Sequence, residues 1–177
     1  DLSVIALAKQ RIPWLMILML GATVTGGIIT KFENILSTVV VLTAFIPMLM
    51  DTGGNSGNQS STLIIRGLAL GNVNQKDIWK VLWKEFRISL LVGIILASVN
   101  FAKNMLFDKV GLNVSLTVSL TVATTVMLAK MVGGTLPLIA KKLKLDPAIM
   151  AGPLITTIVD ALVLLVYFGV ASALLIK

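Results

Sequence analysis

Apolar residues in this chain come in long blocks, and five blocks can be marked. Residues 12 to about 30 carry no charge. The second block starts near residue 34, runs uncharged to Met50, and after Asp51 stays uncharged to Ile65. The third follows the charged stretch 76–87 and runs to Ala102. The fourth covers about 110–140 and is interrupted by Lys130. The fifth is 147–176, with Asp160 near its centre. A helix crosses the ~30 Å hydrocarbon core in about 20 residues. The blocks therefore predict an all-α membrane protein with five transmembrane helices per subunit. Residues 1–10 read as the end of a connecting segment and 11–177 as one five-span domain.

One stretch departs from this pattern. Residues 114–122, VSLTVSLTV, alternate with period two, as a strand of an outer-membrane barrel would. The neighbouring blocks are twice too long for barrel strands, and an isolated strand cannot satisfy its backbone in lipid. A helix is predicted instead, its hydroxyls bonding back to carbonyls one turn earlier. Packing against neighbouring helices is their expected role, with contact to a wet pore as the other reading.

Basic residues set the orientation. With the N-terminus inside, the inner segments hold Lys9, Arg11, Arg66, Lys76, Lys80, Lys84, Arg87, Lys141, Lys142 and Lys144. The outer segments hold only Lys31, Lys103, Lys109 and Lys177. That excess predicts a cytoplasmic N-terminus and an outside C-terminus. Trp79, Trp83 and Phe86 lie among Lys80, Lys84 and Arg87 and read as an interfacial anchor, with Asn74 as the N-cap. Trp14 reads as the anchor of the first span, beside Pro13 in the helix's first turn.

Composition narrows the function. The 177 residues are 56% hydrophobic and 13% charged, with a mean hydropathy of +0.97. Soluble domains carry about 25% charged residues, so no folded soluble domain fits beside the spans. There is no Cys and no His. This excludes disulfides, thiolate and imidazole metal sites, and His-based catalysis, and no enzyme is expected. Any metal is held by oxygen, which favours Mg2+, Ca2+ or Mn2+. The net charge of +7 comes from residues at span ends, so it reads as topology signals and lipid contacts, with no nucleic acid as partner. The chain opens on Asp1 with no n-region before the first block, which reads as a fragment without a signal peptide. No tandem or inverted repeat stands out, which removes one hallmark of many secondary transporters.

Two features carry chemistry. Asp160 is a lone carboxylate inside the fifth block. Ionised at mid-membrane it costs at least about 2.5–3.5 kcal/mol, so it is expected to line a wet cavity or meet a cation. The second block holds the polar run 51–62, DTGGNSGNQSST. Lipid cannot solvate these amides and hydroxyls, so they face protein or water. Gly53 and Gly57 form a GxxxG pair that suits close helix packing. Packing does not account for Asn55, Asn58 and Gln59, and a pore or cavity lining is the favoured reading for the run. Asp51 falls deep in the same block, also near mid-depth. It reads as pore-lining or as the partner of Lys130, the pairing favoured here; Lys130 alternatively snorkels to an interface. A Lys130 that reached Asp160 would neutralise the site.

The string PMLMDTGGNSGNQSSTLIIRGLALG resembles the signature of the MgtE family of magnesium channels and transporters. RIPWL in the first block, GGTLPLIAKKLKLDP between the fourth and fifth, and LDPAIMAGPLITTIVDALVLLVYF in the fifth follow in the same order, so the resemblance covers the whole chain. It implies a homodimer with an ion pore on the two-fold axis, lined by the second and fifth spans, in a multi-pass protein of the bacterial inner (plasma) membrane. It places Asp160 at the central magnesium site, one carboxylate from each subunit, with the backbone carbonyl of Thr156 facing the same site. Asn58 matches the pore-lining asparagine of the second span. Asp146 matches an acidic residue at the cytoplasmic mouth that the family uses for regulatory magnesium; an N-cap before Pro147 is the equally weighted alternative. The chain departs from the family pattern at Gly152, where the family carries asparagine. Gly152 lies two helical turns before Asp160 on the same stripe and is read as pore-lining with Asp51, Gly53, Gly54, Asn55, Gly57, Asn58 and Gln59.

The resemblance further implies cytosolic sensor domains as partners. They are not in this sequence, and a gate-deficient pore module that still dimerises is expected. The expected function is passage of hydrated Mg2+ through a dimeric pore with a central aspartate site, with Mn2+ or Ca2+ as other ions for the same oxygens. A proton- or sodium-coupled divalent-cation transporter using Asp160 is the alternative. A scaffold whose polar second span only packs helices is a third class.

Overall fold

The computed structural model describes residues 3–150 and 152–176, and these are helical or in short connections. Helix α1 spans Val4–Lys31, its first turn closed by Ser3, whose hydroxyl accepts from the Ala6 amide at 3.3 Å. The helix starts earlier than expected, so Pro13 lies in its interior and not in its first turn. Residues 4–10, expected as a connecting segment, run into it without a break.

The second block is not one helix. It folds as α2 (Glu33–Thr38), a 3-10 stretch (Val40–Phe45) and α3 (Ile46–Ala69). The run Thr38-Val-Val-Val is β-branched and lowers helix propensity. Val39 leaves the helical region at φ −127°, ψ 74°. Pro47 then suits the first turn of α3. The carbonyl of Leu42, in the 3-10 stretch, accepts a hydrogen bond from the buried Tyr167 hydroxyl at 2.9 Å. One consequence corrects the sequence reading: Asp51 lies five residues into α3, about 7–8 Å from its start, and not far along a long helix.

Asn74 and Asp77 form a capping box around the turn Gln75–Asp77, as the N-cap assignment expects, and α4 follows over Ile78–Lys103. A π-helical turn at Asn104–Asp108 and a left-handed Lys109 (φ 52°) end it. Helix α5 spans Leu112–Lys142 and includes the alternating stretch 114–122. Thr117 and Thr121 donate to the carbonyls of Asn113 and Thr117, each at 2.8 Å. With Ser115 and Ser119 they are buried inside the fold, which is the packing role.

The fifth block also breaks. A 3-10 turn at Pro147–Met150 precedes α6 (Pro153–Leu175), and Gly152 between them has φ 64°, ψ −117°. That conformation is open to glycine and strained for other residues.

Among the described residues, four helices are long and apolar enough to cross a membrane: α1, α4 with its flanking turns, α5 and α6. Helix α3 has 24 residues but a polar composition. At the centre lies α5, packed against α3, α4 and α6, while α1 lies along α6. The core is built from Leu42, Leu49, Val118, Val126, Ile155, Val159, Leu164, Tyr167 and Phe168. The outer faces of α1 (Leu15, Met16, Met19, Leu20) and α4 (Leu90, Leu91, Ile94, Ile95) are exposed and apolar, the composition a lipid-facing surface needs.

Candidate functional site

Helix α3 has two polar faces with different uses. On one, Gly53, Gly54, Ser56, Gly57, Ser60 and Ser61 are buried. A Cβ on Gly53 would stand 2.7 Å from Val163 Cγ2 and 2.8 Å from Val159 Cγ1. On Gly57 it would stand 2.8 Å from Ile155 Cγ2, and on Gly54 3.1 Å from Thr156 Cγ2. Gly133 of α5 backs directly onto the Gly57 carbonyl. The three glycines read as pore-lining thus sit where α3 presses against α5 and α6. Within one chain they serve close packing.

The other face carries Asp51, Asn55, Gln59 and Thr62, all exposed, with Asn58 half-buried at its edge. These positions recur every three or four residues and so form one stripe along the helix. Asn55 donates from Nδ2 to Asp51 Oδ2 at 3.0 Å. Asn55, Asn58, Gln59, Thr62 and Leu63 line an open groove of about 430 Å³.

Helix α6 meets the edge of this stripe. Asn58 Nδ2 donates to Thr156 Oγ1 at 3.1 Å, and Thr156 Oγ1 donates to the Gly152 carbonyl at 3.2 Å. Asp160 follows one turn later, half-buried. Val159, beside it in sequence, packs against Gly53 and Gly57, which sets Asp160 alongside the middle of α3. Asp160 Oδ1 and Asn58 Oδ1 are enclosed and have no hydrogen-bond partner among the described residues. Buried oxygens without partners are rare and ask for a polar or cationic neighbour. The fold therefore brings together Asp51, Asn55, Asn58, Thr156 and Asp160 from blocks about 100 residues apart. Among the described residues no three His, Cys, Asp or Glu side chains converge on a metal-sized centre.

Asp146 lies elsewhere. Its Oδ1 accepts from the Ala148 amide at 2.9 Å, capping the turn after it. It lines a separate cavity of about 290 Å³ with Lys141, Ile65 and Leu68, beside the far end of α3. Gly152 acts through its backbone, as the break before α6 and the acceptor for Thr156.

The favoured Asp51–Lys130 pairing is not what forms. Lys130, on α5, is buried and donates from Nζ to Gln59 Oε1 at 2.6 Å. The physical reason is position along the helix: α5 meets Gly57 at Ala129 and Gly133, so Lys130 lies level with Gln59, and Asp51 is eight residues, about 12 Å, further toward the start of α3. Glu85 of α4 is not marked by the sequence pattern, yet it is buried and accepts from Ser60 Oγ at 2.6 Å. It hides among the interfacial charges of residues 80–87. The signal that marks it is spacing, since Val81, Glu85, Ser89 and Gly93 fall every four residues and all are buried. Trp79 and Trp83, in contrast, are exposed, and Trp83 stacks on Phe86 at 5.7 Å.

The chain also matches known proteins in sequence. The family model MgtE, described as "Divalent cation transporter", matches residues 46–170. "Magnesium transporter MgtE" of Bacillus subtilis is 37% identical over 179 residues, covering 98% of this chain and 38% of the relative. The protein of that name from Thermus thermophilus is 39% identical over 177 residues, covering 97% and 38%. That of Enterococcus faecalis is 29% identical over 168 residues, covering 93% and 36%. The chain thus spans well under half the length of these relatives.

Proposed function

The chain belongs to the MgtE family of divalent cation transporters, and from that premise we propose that it forms the ion-conducting part of a magnesium transporter. Two copies face each other across a two-fold axis through the polar stripe of α3 and the adjoining face of α6. Helix α3 is the fifth membrane-spanning helix, since its exposed polar side lines the path instead of lipid. The N-terminus is cytoplasmic and the C-terminus outside. In a longer chain, cytosolic sensor domains precede α1.

One observation carries the reading: an exposed row of carboxamides and a carboxylate on α3 leads to Asp160, whose Oδ1 is enclosed without a partner among the described residues. The described residues of a single copy gather too few acidic groups to hold a metal, and a second copy doubles them at the axis. Two facing carboxylates repel, and a dication between them removes the repulsion. Magnesium prefers octahedral oxygen and gives up its waters reluctantly. A site of two Asp160 carboxylates, with Thr156 carbonyls nearby, attracts the hydrated ion without stripping it. Asn55 and Asn58 supply amide oxygens that accept from its outward-pointing water hydrogens. Mn2+ and Ca2+ fit the same oxygens. Asp146 meets cations at the inner mouth. The gradient and the membrane potential drive the ion.

Liposomes carrying the protein test this. Mg2+ uptake should follow an imposed voltage with no accompanying proton or sodium movement. Strict dependence on a proton or sodium gradient would instead assign Asp160 the role of coupling carboxylate in a secondary transporter.

A further inference from the structure

Behind the polar stripe lies a second polar group that the proposed path does not use. Lys130 is 3% exposed and Glu85 6% exposed, both far inside the fold for charged residues. Lys130 Nζ donates to Gln59 Oε1, and Ser60 Oγ donates to Glu85 Oε2, each at 2.6 Å. Lys130 and Glu85 meet α3 at neighbouring residues, with no direct ion pair between them among the described residues. Gly134 makes room for the carboxylate, since a Cβ there would stand 2.9 Å from Glu85 Cγ. Two adjacent residues of α3, Gln59 and Ser60, are thus held by opposite charges from α5 and α4.

The chemistry of this contact fixes the Gln59 amide. An ammonium has three donors and no acceptor. A glutamine bonded to it must turn its carbonyl oxygen inward. Gln59 also lines the groove, so the NH2 is the part left for the groove. An amide oxygen ligates cations and an amide NH2 does not.

We propose that Lys130 is a positioning residue for the ion path: it holds the Gln59 oxygen away from the groove, so that this level offers no oxygen ligand from Gln59 and the ion passes with its waters in place. The proposal rests on the reading of the α3 stripe as the wall of that path. It has a consequence for selectivity. Ca2+ takes flexible shells of six to eight oxygens, whereas Mg2+ dehydrates reluctantly. A Gln59 oxygen released into the groove therefore favours Ca2+ over Mg2+. Glu85 keeps the buried ammonium balanced, and removing Lys130 alone would leave a buried carboxylate uncompensated. The informative variant is accordingly the charge-balanced Lys130→Met/Glu85→Gln.

Uptake of Mg2+ and of Ca2+ is measured side by side in liposomes for the wild type, Lys130→Arg, Lys130→Met/Glu85→Gln, and the same double change in a Gln59→Leu background. Lys130→Arg keeps a cationic donor, and its Ca2+:Mg2+ ratio should stay within about twofold of wild type. The charge-balanced pair should raise the ratio by about tenfold, the scale on which one charge-assisted hydrogen bond acts. In the Gln59→Leu background the pair should produce no further rise, because no amide remains to turn. An unchanged ratio in the charge-balanced variant overturns the proposal. So does an equal rise without Gln59, which would show that the buried charges act by another route. A wild type that takes up neither ion defeats the reading of the path itself, and this proposal with it.

Discussion

Replacing Gly133 with alanine tests the helix contact that sets the polar stripe in place. A Cβ at Gly133 would meet backbone, not side chain: it would stand 2.8 Å from the Gly57 carbonyl carbon and closer still to the oxygen. Ordinary contact for a Cβ begins at 3.4 Å. Helices α3 and α5 would have to separate by well over about 0.6 Å, since that is the shortfall at the carbonyl carbon and the oxygen is nearer still, and no rotamer change can absorb it. Overpacking of this kind costs roughly 1–3 kcal/mol, and a backbone clash belongs at the upper end. Alanine returns up to about 1 kcal/mol in helix propensity. The net loss is about 2 kcal/mol, which for a domain of this size lowers Tm by roughly 4–8 °C. Thermal unfolding of the detergent-solubilised protein, followed by loss of the monodisperse peak, reads it. Gly26→Ala is the control, since a Cβ there meets nothing within 4 Å, and it should match or slightly exceed wild type. Equal stability of Gly133→Ala and Gly26→Ala would refute the close α3–α5 approach.

Other predictions concern single contacts. Tyr167→Phe removes the bond to the Leu42 carbonyl and should cost about 1 kcal/mol, read as a lower Tm. Asn58→Leu loses both the link to Thr156 and the unpartnered oxygen. It should lower Mg2+ uptake by about tenfold while the protein stays folded, as one lost polar contact to a charged species allows. Gly152→Ala meets no neighbour but forces a side chain to φ 64°. It should cost about 1–3 kcal/mol of backbone strain, visible in Tm, whereas a purely steric account predicts no change.

The helices are legible in the sequence because membrane burial leaves long apolar blocks, and each of α1, α4, α5 and α6 covers most of one block. The breaks at Val39 and Gly152 are not. Neither break shows as a charged gap in its block, and backbone conformation, not hydropathy, ends the helix there. At the site, Asn58, Thr156 and Asp160 can be named from their types and from the family resemblance. Which side of α3 each glycine takes cannot, because a polar run reads the same on both faces until neighbours are placed. Lys130 shows the limit most clearly. Its charge is visible and its partner is not, since Gln59 reaches it from a helix whose placement only the packed fold determines.

The central claim is that two copies of Asp160 hold a hydrated dication between them. Anomalous scattering from crystals of the protein grown with Mn2+ in place of Mg2+ tests it most directly. The account predicts a peak on a two-fold axis, equidistant from two Asp160 carboxylates and too far from them for direct coordination by every oxygen. Metal bound elsewhere, with the Asp160 carboxylates turned away from any shared axis, would contradict it.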